Sequence, residues 1–287
     1  MNAFSRAACR TLALCLTLTS AAASATALED QVAAAPMPHT TLGGKTIKVH
    51  YVRLSNQMAD HEAMAKNMRQ LQALCAAGRR AAGLAVAARL ESPSLAHGLL
   101  RDMYWSPNRH VIYERRDAYH VAEDCGLVEH EVLKAELWSA AGTCYFNLSE
   151  GTKKGECDLA RHAAAPAVAG PLRDGGFDAK MAKLAADPRM AAIVAQARKI
   201  SGNSRPTGAT RTLLGIECEV WTSDLTPGAT ICRARGGSFA PSAAAGNDAQ
   251  AGILLEVDNP GKQKSEAVEA RLDADVSAAI FNPESVH

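Results

Sequence analysis

Cysteine is the residue type whose number and spacing carry the most chemical information in this chain. Six of the eight cysteines lie beyond residue 27, and four of these fall in two strand-turn-strand segments, Cys144 with Cys157 and Cys218 with Cys232. Facing strands of a hairpin bring side chains within disulfide reach, so we expect each of these pairs to be bonded. Such bonds persist in an oxidising compartment, which predicts export from the cytoplasm.

The two remaining cysteines, Cys75 and Cys125, are then left to bond with each other. The alternative is a different connectivity or six buried free thiols, since six cysteines allow 15 pairings. A zinc site would need close pairs such as C-x-x-C, and the sequence has none. A cysteine nucleophile is disfavoured as well, because all six thiols can be paired.

Histidine is the other residue type that invites a metal hypothesis. Three of the nine histidines recur at intervals of ten: His110, His120 and His130. Regular spacing by ten is not in itself a ligand geometry. His61-Glu62 and His130-Glu131 begin like the zinc motif H-E-x-x-H, but Ala65 and Lys134 stand where the second histidine would be. We therefore expect no metal site and no cofactor.

Motifs for nucleophilic or phosphate chemistry are absent from the sequence. It contains no G-x-S-x-G elbow and no phosphate-binding P-loop. Carboxylates are plentiful but scattered, so no acid-base pair can be selected from them. We expect no catalytic residues and a non-enzymatic protein.

The first 27 residues predict a secretory signal peptide. Arg6 and Arg10 precede an apolar run over 12–18, and a small-residue stretch ends at 25–27. Cys15 lies within the apolar run, where a lipid-modified cysteine would not stand. We expect a soluble mature protein that is periplasmic or secreted and has no integral membrane segment, since no later run reaches about 18 apolar residues.

The charge balance of the mature chain excludes some classes of partner. Arg6 and Arg10 leave with residues 1–27, so 29 of the 31 Lys and Arg remain against 30 Asp and Glu. A nearly neutral chain argues against nucleic acid or an anionic membrane surface as the main partner. The hydrophobic content of 47% is sufficient for a core.

Hydrophobic periodicity divides the chain into a linker and one domain. Residues 28–42 carry prolines and few periodic apolar residues, which predicts a flexible N-terminal linker before a single domain over 43–287. Strands are predicted at 47–52, in hairpins over 99–124 and 143–159, at 214–221 and 231–233, and in a final hairpin over 253–272. Helices are predicted at 56–76 and, in two parts, at 177–200.

The segment 127–138 fits two structures. Val128, Val132 and Ala135 have helical spacing, whereas Leu133, Ala135 and Leu137 alternate as in a strand. The local composition favours a helix, and the neighbouring strands favour a strand. The sequence leaves both open, with a preference for the strand.

The last third of the chain resembles a known family. The residues GATRTLLGIECEVW at 208–221, followed by TIC at 230–232, resemble an element of periplasmic proteins of the LolA/LolB-like superfamily, in a branch that reads T-x-x-G-x-x-C-x-V/W after a Met- and Ala-rich helix. The helix predicted at 177–200 and the hairpin containing 145–147 would precede this element. The endings at 252–256, 266–274 and 278–283 are similar too, so the resemblance extends from residue 142 onward.

The resemblance implies an α+β fold, in which a strongly curved antiparallel sheet forms a half barrel with helices packed on its concave side. Carriers with this fold bind acyl chains or lipoproteins. We therefore expect a hydrophobic ligand, such as a lipid or a lipoprotein acyl chain, whose contact residues the sequence leaves unassigned. The alternative is a structural or protein-interaction protein of the cell envelope, with a filled core and no ligand.

Overall fold

The structure is a computed structural model, and it describes residues 32–58, 61–87, 99–167, 186–187, 190–191, 204–223, 226, 228–239 and 252–286. The predicted signal peptide at 1–27 and nearly all of the predicted helix at 177–200 lie outside the described residues. Among the described residues, no helix combines the length and the apolar character needed to cross a membrane.

Eleven antiparallel strands form one sheet in the described part of the chain. They are β1 (Thr46–Met58), β2 (Leu99–Trp105), β3 (Arg109–Val121), β4 (Leu127–Ser139), β5 (Gly142–Asn147), β6 (Thr152–Gly155), β7 (Ser204–Leu213), β8 (Ile216–Ser223), β9 (Thr230–Ala234), β10 (Leu254–Asn259) and β11 (Gln263–Ser277). The order across the sheet is β6-β5-β4-β3-β2-β1-β11-β10-β9-β8-β7. The sheet therefore consists of two meanders joined where β1 pairs with β11.

Two α-helices have both ends within the described residues, α1 (His61–Ala81) and α2 (Leu159–Ala164). Helix α1 begins later than the predicted 56–76, because Asn56 to Met58 pair with β11 and continue β1. Its described side chains bury Ala65, Gln72 and Ala76, whereas Leu71 and Leu74 are 53% and 71% exposed. A helix that leaves its leucines in solvent contributes little to a core.

The predicted α+β half barrel with helices packed on its concave side is therefore wrong. The described chain is mainly β, and its sheet is open, since β6 and β7 at its two edges do not pair with each other. The physical reason is that the strands supply both buried clusters of apolar side chains, together with the chain after β11. The antiparallel sheet itself and its disulfide-bonded hairpins were predicted, and both are present.

The ambiguous segment 127–138 is a strand. It forms most of β4, which pairs with β3 along its whole length and with β5 from Lys134 to Ser139. Strand pairing on both sides outweighs the local helix propensity of Glu, Leu, Lys and Ala. The predicted strand at 214–221 is wrong at its start, because Leu214 and Gly215 have φ values of 53° and 77° and form the turn between β7 and β8.

Apolar side chains are buried on both faces of the sheet. One face, here called the tyrosine face, carries Tyr51, Tyr104 and Tyr113, and Ile280 and Phe281 from the chain after β11 pack with them. The other face, here called the tryptophan face, buries a second cluster. That cluster includes Val52, Leu54, Met103, Trp105, Cys218, Cys232 and Leu255. Consecutive residues of β1 thus point into different cores.

The three predicted disulfides are present. Cys75 bonds Cys125, Cys144 bonds Cys157 and Cys218 bonds Cys232, with Cα atoms 5.7, 4.9 and 5.5 Å apart. The bond from Cys75 fastens α1 to the turn between β3 and β4. Three disulfides are typical of an exported protein.

A glycine fixes the chain beside one of these disulfides. Gly155 pairs with Cys144 at the end of β6 and has a φ of 103°. A Cβ at this position would lie 2.3 Å from the carbonyl oxygen of Thr143, so only glycine fits. This close approach lets the chain turn directly from β6 into the segment that carries Cys157.

A buried ion pair connects β1, β2 and the chain before β1. The Arg53 guanidinium donates to both carboxylate oxygens of Asp102 at 2.7 and 2.8 Å, and to the carbonyls of Ala35 and Pro36 at 2.6 and 3.2 Å. Burial alone would lower the pKa of Arg53, but the hydrogen bond and charge of Asp102 outweigh it and raise that pKa. Part of the predicted linker, 32–42, thus packs on the tyrosine face, where Val32 and Ala35 are buried.

Replacing Asp102 by Asn should destabilise the protein by about 3 kcal/mol, because it leaves the buried Arg53 charge uncompensated. Urea unfolding at neutral pH measures this change. The matched control is Asp275→Asn, which breaks the exposed pair between Lys48 and Asp275 and should cost less than about 1 kcal/mol. Equal losses in the two variants would contradict a special role for the buried pair.

Candidate functional site

An open depression lies at the β6 edge of the sheet and has a volume of about 790 Å³. It is here called the basic depression, and its lining residues are Lys134, Tyr145, Phe146, Asn147, Thr152, Lys153 and Lys154. Phe146 and Lys153 pair with each other on the tyrosine face, and the strand register groups the other five residues. Asn147 pairs with both Lys134 and Thr152, and Tyr145 pairs with Lys154, so these residues form adjacent rows on the tryptophan face.

Two of the three lysines in the basic depression have no ion pair among the described residues. Lys153 donates to Glu284 at 2.8 Å, whereas Lys134 and Lys154 have no carboxylate partner in the described part of the chain. Glu114, which lies opposite Lys134 on β3, pairs with Arg101 instead. Two ammonium groups are therefore available to an anion from solution.

An aromatic ring lies between these charges. The Tyr145 side chain is 45% exposed, and its neighbours across the strands are Glu136 and Lys154. Its ring offers apolar surface, and its hydroxyl can donate or accept a hydrogen bond. The arrangement suits a molecule that carries both an anionic group and an apolar part. Lysines on a short edge strand also prevent sheets from pairing edge to edge, and all four residues of β6 are exposed.

The tyrosine face contains a polar network of a different kind. Tyr51 donates to Glu269, Tyr104 contacts His39 with 2.9 Å between its hydroxyl and Nδ1, and Tyr113 donates to the carbonyl of Ile280 at 2.5 Å. Burial raises the pKa of all three tyrosines, and it lowers the pKa of His39. Phenols that are held protonated and already hydrogen-bonded make poor bases or nucleophiles. We therefore interpret this network as one that stabilises the fold.

A short polar network also fixes the chain after β9 on the tryptophan face. The Asp273 amide donates to His50 Nδ1 at 3.0 Å, so the hydrogen of the ring lies on Nε2, which donates to the Phe239 carbonyl at 2.8 Å. The Phe239 ring stacks on His50 with ring centres 3.9 Å apart. A Cβ on Gly237, whose φ is 95°, would lie 2.4 Å from this imidazole. The contact therefore requires glycine.

A buried histidine without hydrogen bonds lies in the next row of the tryptophan face. His110 is 1% exposed, pairs with Trp105 and Trp138 across the strands, and stacks on the Trp138 ring at 5.6 Å. Neither of its ring nitrogens has a partner in the described chain. Burial lowers the pKa of His110 to about 4, so the ring stays neutral at physiological pH.

Acid should destabilise the protein through His110. Its folded pKa of about 4 lies below the ordinary value of 6.5, so the stability from the neutral ring is complete above pH 6.5 and is lost as the pH falls towards 4. Between pH 7 and pH 4 the wild type should lose about 3 kcal/mol more than a His110→Phe variant in urea unfolding. An exposed control, His120→Asn, should follow the wild type. Parallel curves for wild type and His110→Phe would refute this assignment.

The cysteines and histidines that the sequence singled out lie in several separate places in the structure. All six cysteines are in disulfides. His120 and His130 meet on the β3–β4 hairpin, and His110 does not join them. Groups of three or more metal-binding side chains do not occur among the described residues. Sequence reasoning missed Lys134, Lys153 and Lys154, because only the register between β4, β5 and β6 places them together.

Comparisons with known proteins do not identify a family. No protein-family model matches the chain, and no curated protein does. A solved structure described as "Structure of PNGF-II in C2 space group" aligns with 82% of this chain at 7% identity and a TM-score of 0.29. The alignment covers 29% of that longer chain. A likeness at this level carries no argument, so the LolA/LolB-like resemblance stays a prediction.

Proposed function

We propose that this chain is a non-enzymatic periplasmic protein that binds an amphiphilic molecule, such as a lipid or an acylated partner, through an anionic head group and an apolar chain. The observation that carries the proposal is the basic depression, in which the unpaired Lys134 and Lys154 lie with the exposed Tyr145 ring. The predicted signal peptide at 1–27 and the three disulfides support the compartment.

Size and chemistry both support this class of ligand. A volume of about 790 Å³ falls in the range of small-molecule sites, which are about 300–1,000 Å³. A lysine ammonium binds carboxylate and phosphate oxygens as a point charge. The Tyr145 ring can cover the first part of an apolar chain. A purely hydrophobic ligand would leave both lysines without a partner, so the proposal specifies an anionic amphiphile.

The described chemistry supports a binding role over catalysis. Cysteine thiols are tied up in disulfides, and the buried tyrosines of the tyrosine face have raised pKa values. Within the basic depression, lysine and tyrosine are accompanied by Asn147 and Thr152, which bind ligands by hydrogen bonds.

A specific observation favours the second candidate function, an interaction protein of the cell envelope. Leu71 and Leu74 of α1 lie one turn apart and are both exposed, which is how a helix presents anchors to a protein groove. In this alternative, α1 meets a protein partner and the basic depression serves only to protect the sheet edge.

The double variant Lys134→Gln/Lys154→Gln should weaken binding of palmitate at least tenfold, because each charge-assisted hydrogen bond contributes about 1.5–3 kcal/mol. Tyr145→Ser should weaken both palmitate and its neutral analogue hexadecanol. Displacement of a fluorescent fatty acid from the purified mature protein measures these affinities. The matched control is Lys48→Gln/Lys264→Gln, which removes two exposed charges outside the depression and should change neither affinity.

Native mass spectrometry separates the two candidate functions. Protein purified from the periplasm should retain a bound acyl species if it binds amphiphiles. A clean apo mass under several extraction conditions, with no saturable palmitate binding, would contradict the first function and favour the second. Equal loss of affinity in the two lysine variants would show that binding depends on net charge and not on this depression.

A further inference from the structure

Two histidines meet on an arm of the sheet that the proposed function does not use. Beyond the pair of Leu99 with Arg116, residues 117–121 of β3 pair only with β4 in the described sheet. His120 and His130 lie on the same face of this arm as diagonal neighbours, since His120 pairs with Val128 and His130 with Ala118. Both side chains are exposed. The turn over 122–126, which is centred on Asp124, brings the two histidines together.

The distance between the two rings fits a shared metal ion. The two Nδ1 atoms share a hydrogen bond of 3.3 Å, and the ring centres are 5.1 Å apart at an interplanar angle of 68°. Zinc-nitrogen bonds of 2.0–2.1 Å at the tetrahedral angle place two ligand nitrogens about 3.3 Å apart. The imidazoles already have the spacing of two ligands on one tetrahedral ion, and the strands need not move.

The charge of the arm also favours a cation. Residues 117–131 contain five carboxylates and no lysine or arginine. Glu129 and Glu131 flank His130 on the opposite face of β4, where Glu129 accepts from Tyr119 and the charge of Glu131 is offset by Arg115. A field of one sign raises the local concentration of its counter-ion. Even with Glu131 offset by Arg115, the segment 117–131 keeps a net negative charge in a chain whose net charge is close to zero.

The tip of the arm is fixed, so the backbone that carries the two histidines is held in place. Cys125 bonds Cys75 of α1, and its carbonyl accepts from the Gln72 side chain at 3.2 Å. The turn is closed by a hydrogen bond of 2.8 Å from the Ala122 amide to the Gly126 carbonyl. Ligands that are held in place before binding lose less conformational entropy when the ion arrives.

We propose that His120 and His130 bind one Zn²⁺ ion through their Nδ1 atoms, with water or an external ligand in the other two positions. The ring that donates in the present hydrogen bond then moves its hydrogen from Nδ1 to Nε2, so that both Nδ1 lone pairs face the ion, which lies to one side of the line between them. Three or more protein ligands do not converge here in the described chain, so the site is open and exchangeable. A closed structural zinc site, in contrast, takes all four of its ligands from the protein.

Calorimetric titration of the chelator-treated mature protein with Zn²⁺ tests the proposal. The expected result is one ion per chain, with affinity lowered at least tenfold in His120→Asn and in His130→Asn. His61→Asn, on α1 and outside the arm, is the matched control and should stay within twofold of the wild type. Mg²⁺, which prefers oxygen ligands, should not compete.

A second measurement keeps the test decisive if a variant folds poorly. In the wild-type protein, Zn²⁺ should shift the imidazole NMR signals of His120 and His130 together, with saturation at one equivalent. Shifts at other histidines, an absence of saturation, or full affinity in either single variant would overturn the proposal.

Discussion

The pairing of β1 with β11 is the interaction on which the rest of this structure depends. It joins the strands β1–β6 to the strands β7–β11, and it brings together segments separated by more than two hundred residues, as in the pair of Thr46 with Ser277. Within the described sheet, β1 and β11 are the two strands that each pair with a partner from both meanders. Contacts between segments this distant slow the folding of the chain, because the entropy lost on closing the long loop must be overcome before the contacts form.

Local features of the chain could be predicted from sequence, and distant ones could not. The disulfides of Cys144 with Cys157 and of Cys218 with Cys232 follow from spacing, because in each pair a single reversal of the chain separates the two cysteines. The strand over 127–138 was the better of two alternatives, since its neighbours supplied the missing information. The turn at Leu214 was missed because leucine seldom occupies the left-handed region that this turn requires.

The candidate site depends on register, which the sequence does not contain. Lys134 reaches the basic depression only because it lies opposite Asn147, and no motif signals that pairing. The meeting of His120 and His130 is different, because a hairpin with its turn at 122–126 would have been enough to predict it. Arg53 and Asp102 lie 49 residues apart, so their ion pair appears only once β1 and β2 are aligned.

The ion pair between Arg53 and Asp102 has a consequence for how β1 finds its alignment. A strand with one buried face is aligned by its alternating pattern, since a shift of one residue would expose its apolar set. β1 buries Tyr51 on one face and Val52 and Leu54 on the other, so its hydrophobicity barely distinguishes the correct alignment from a shifted one. A shift of one residue would, however, separate the Arg53 guanidinium from Asp102 and bury both charges apart. The ion pair thus fixes the register of a strand whose apolar residues fit either face.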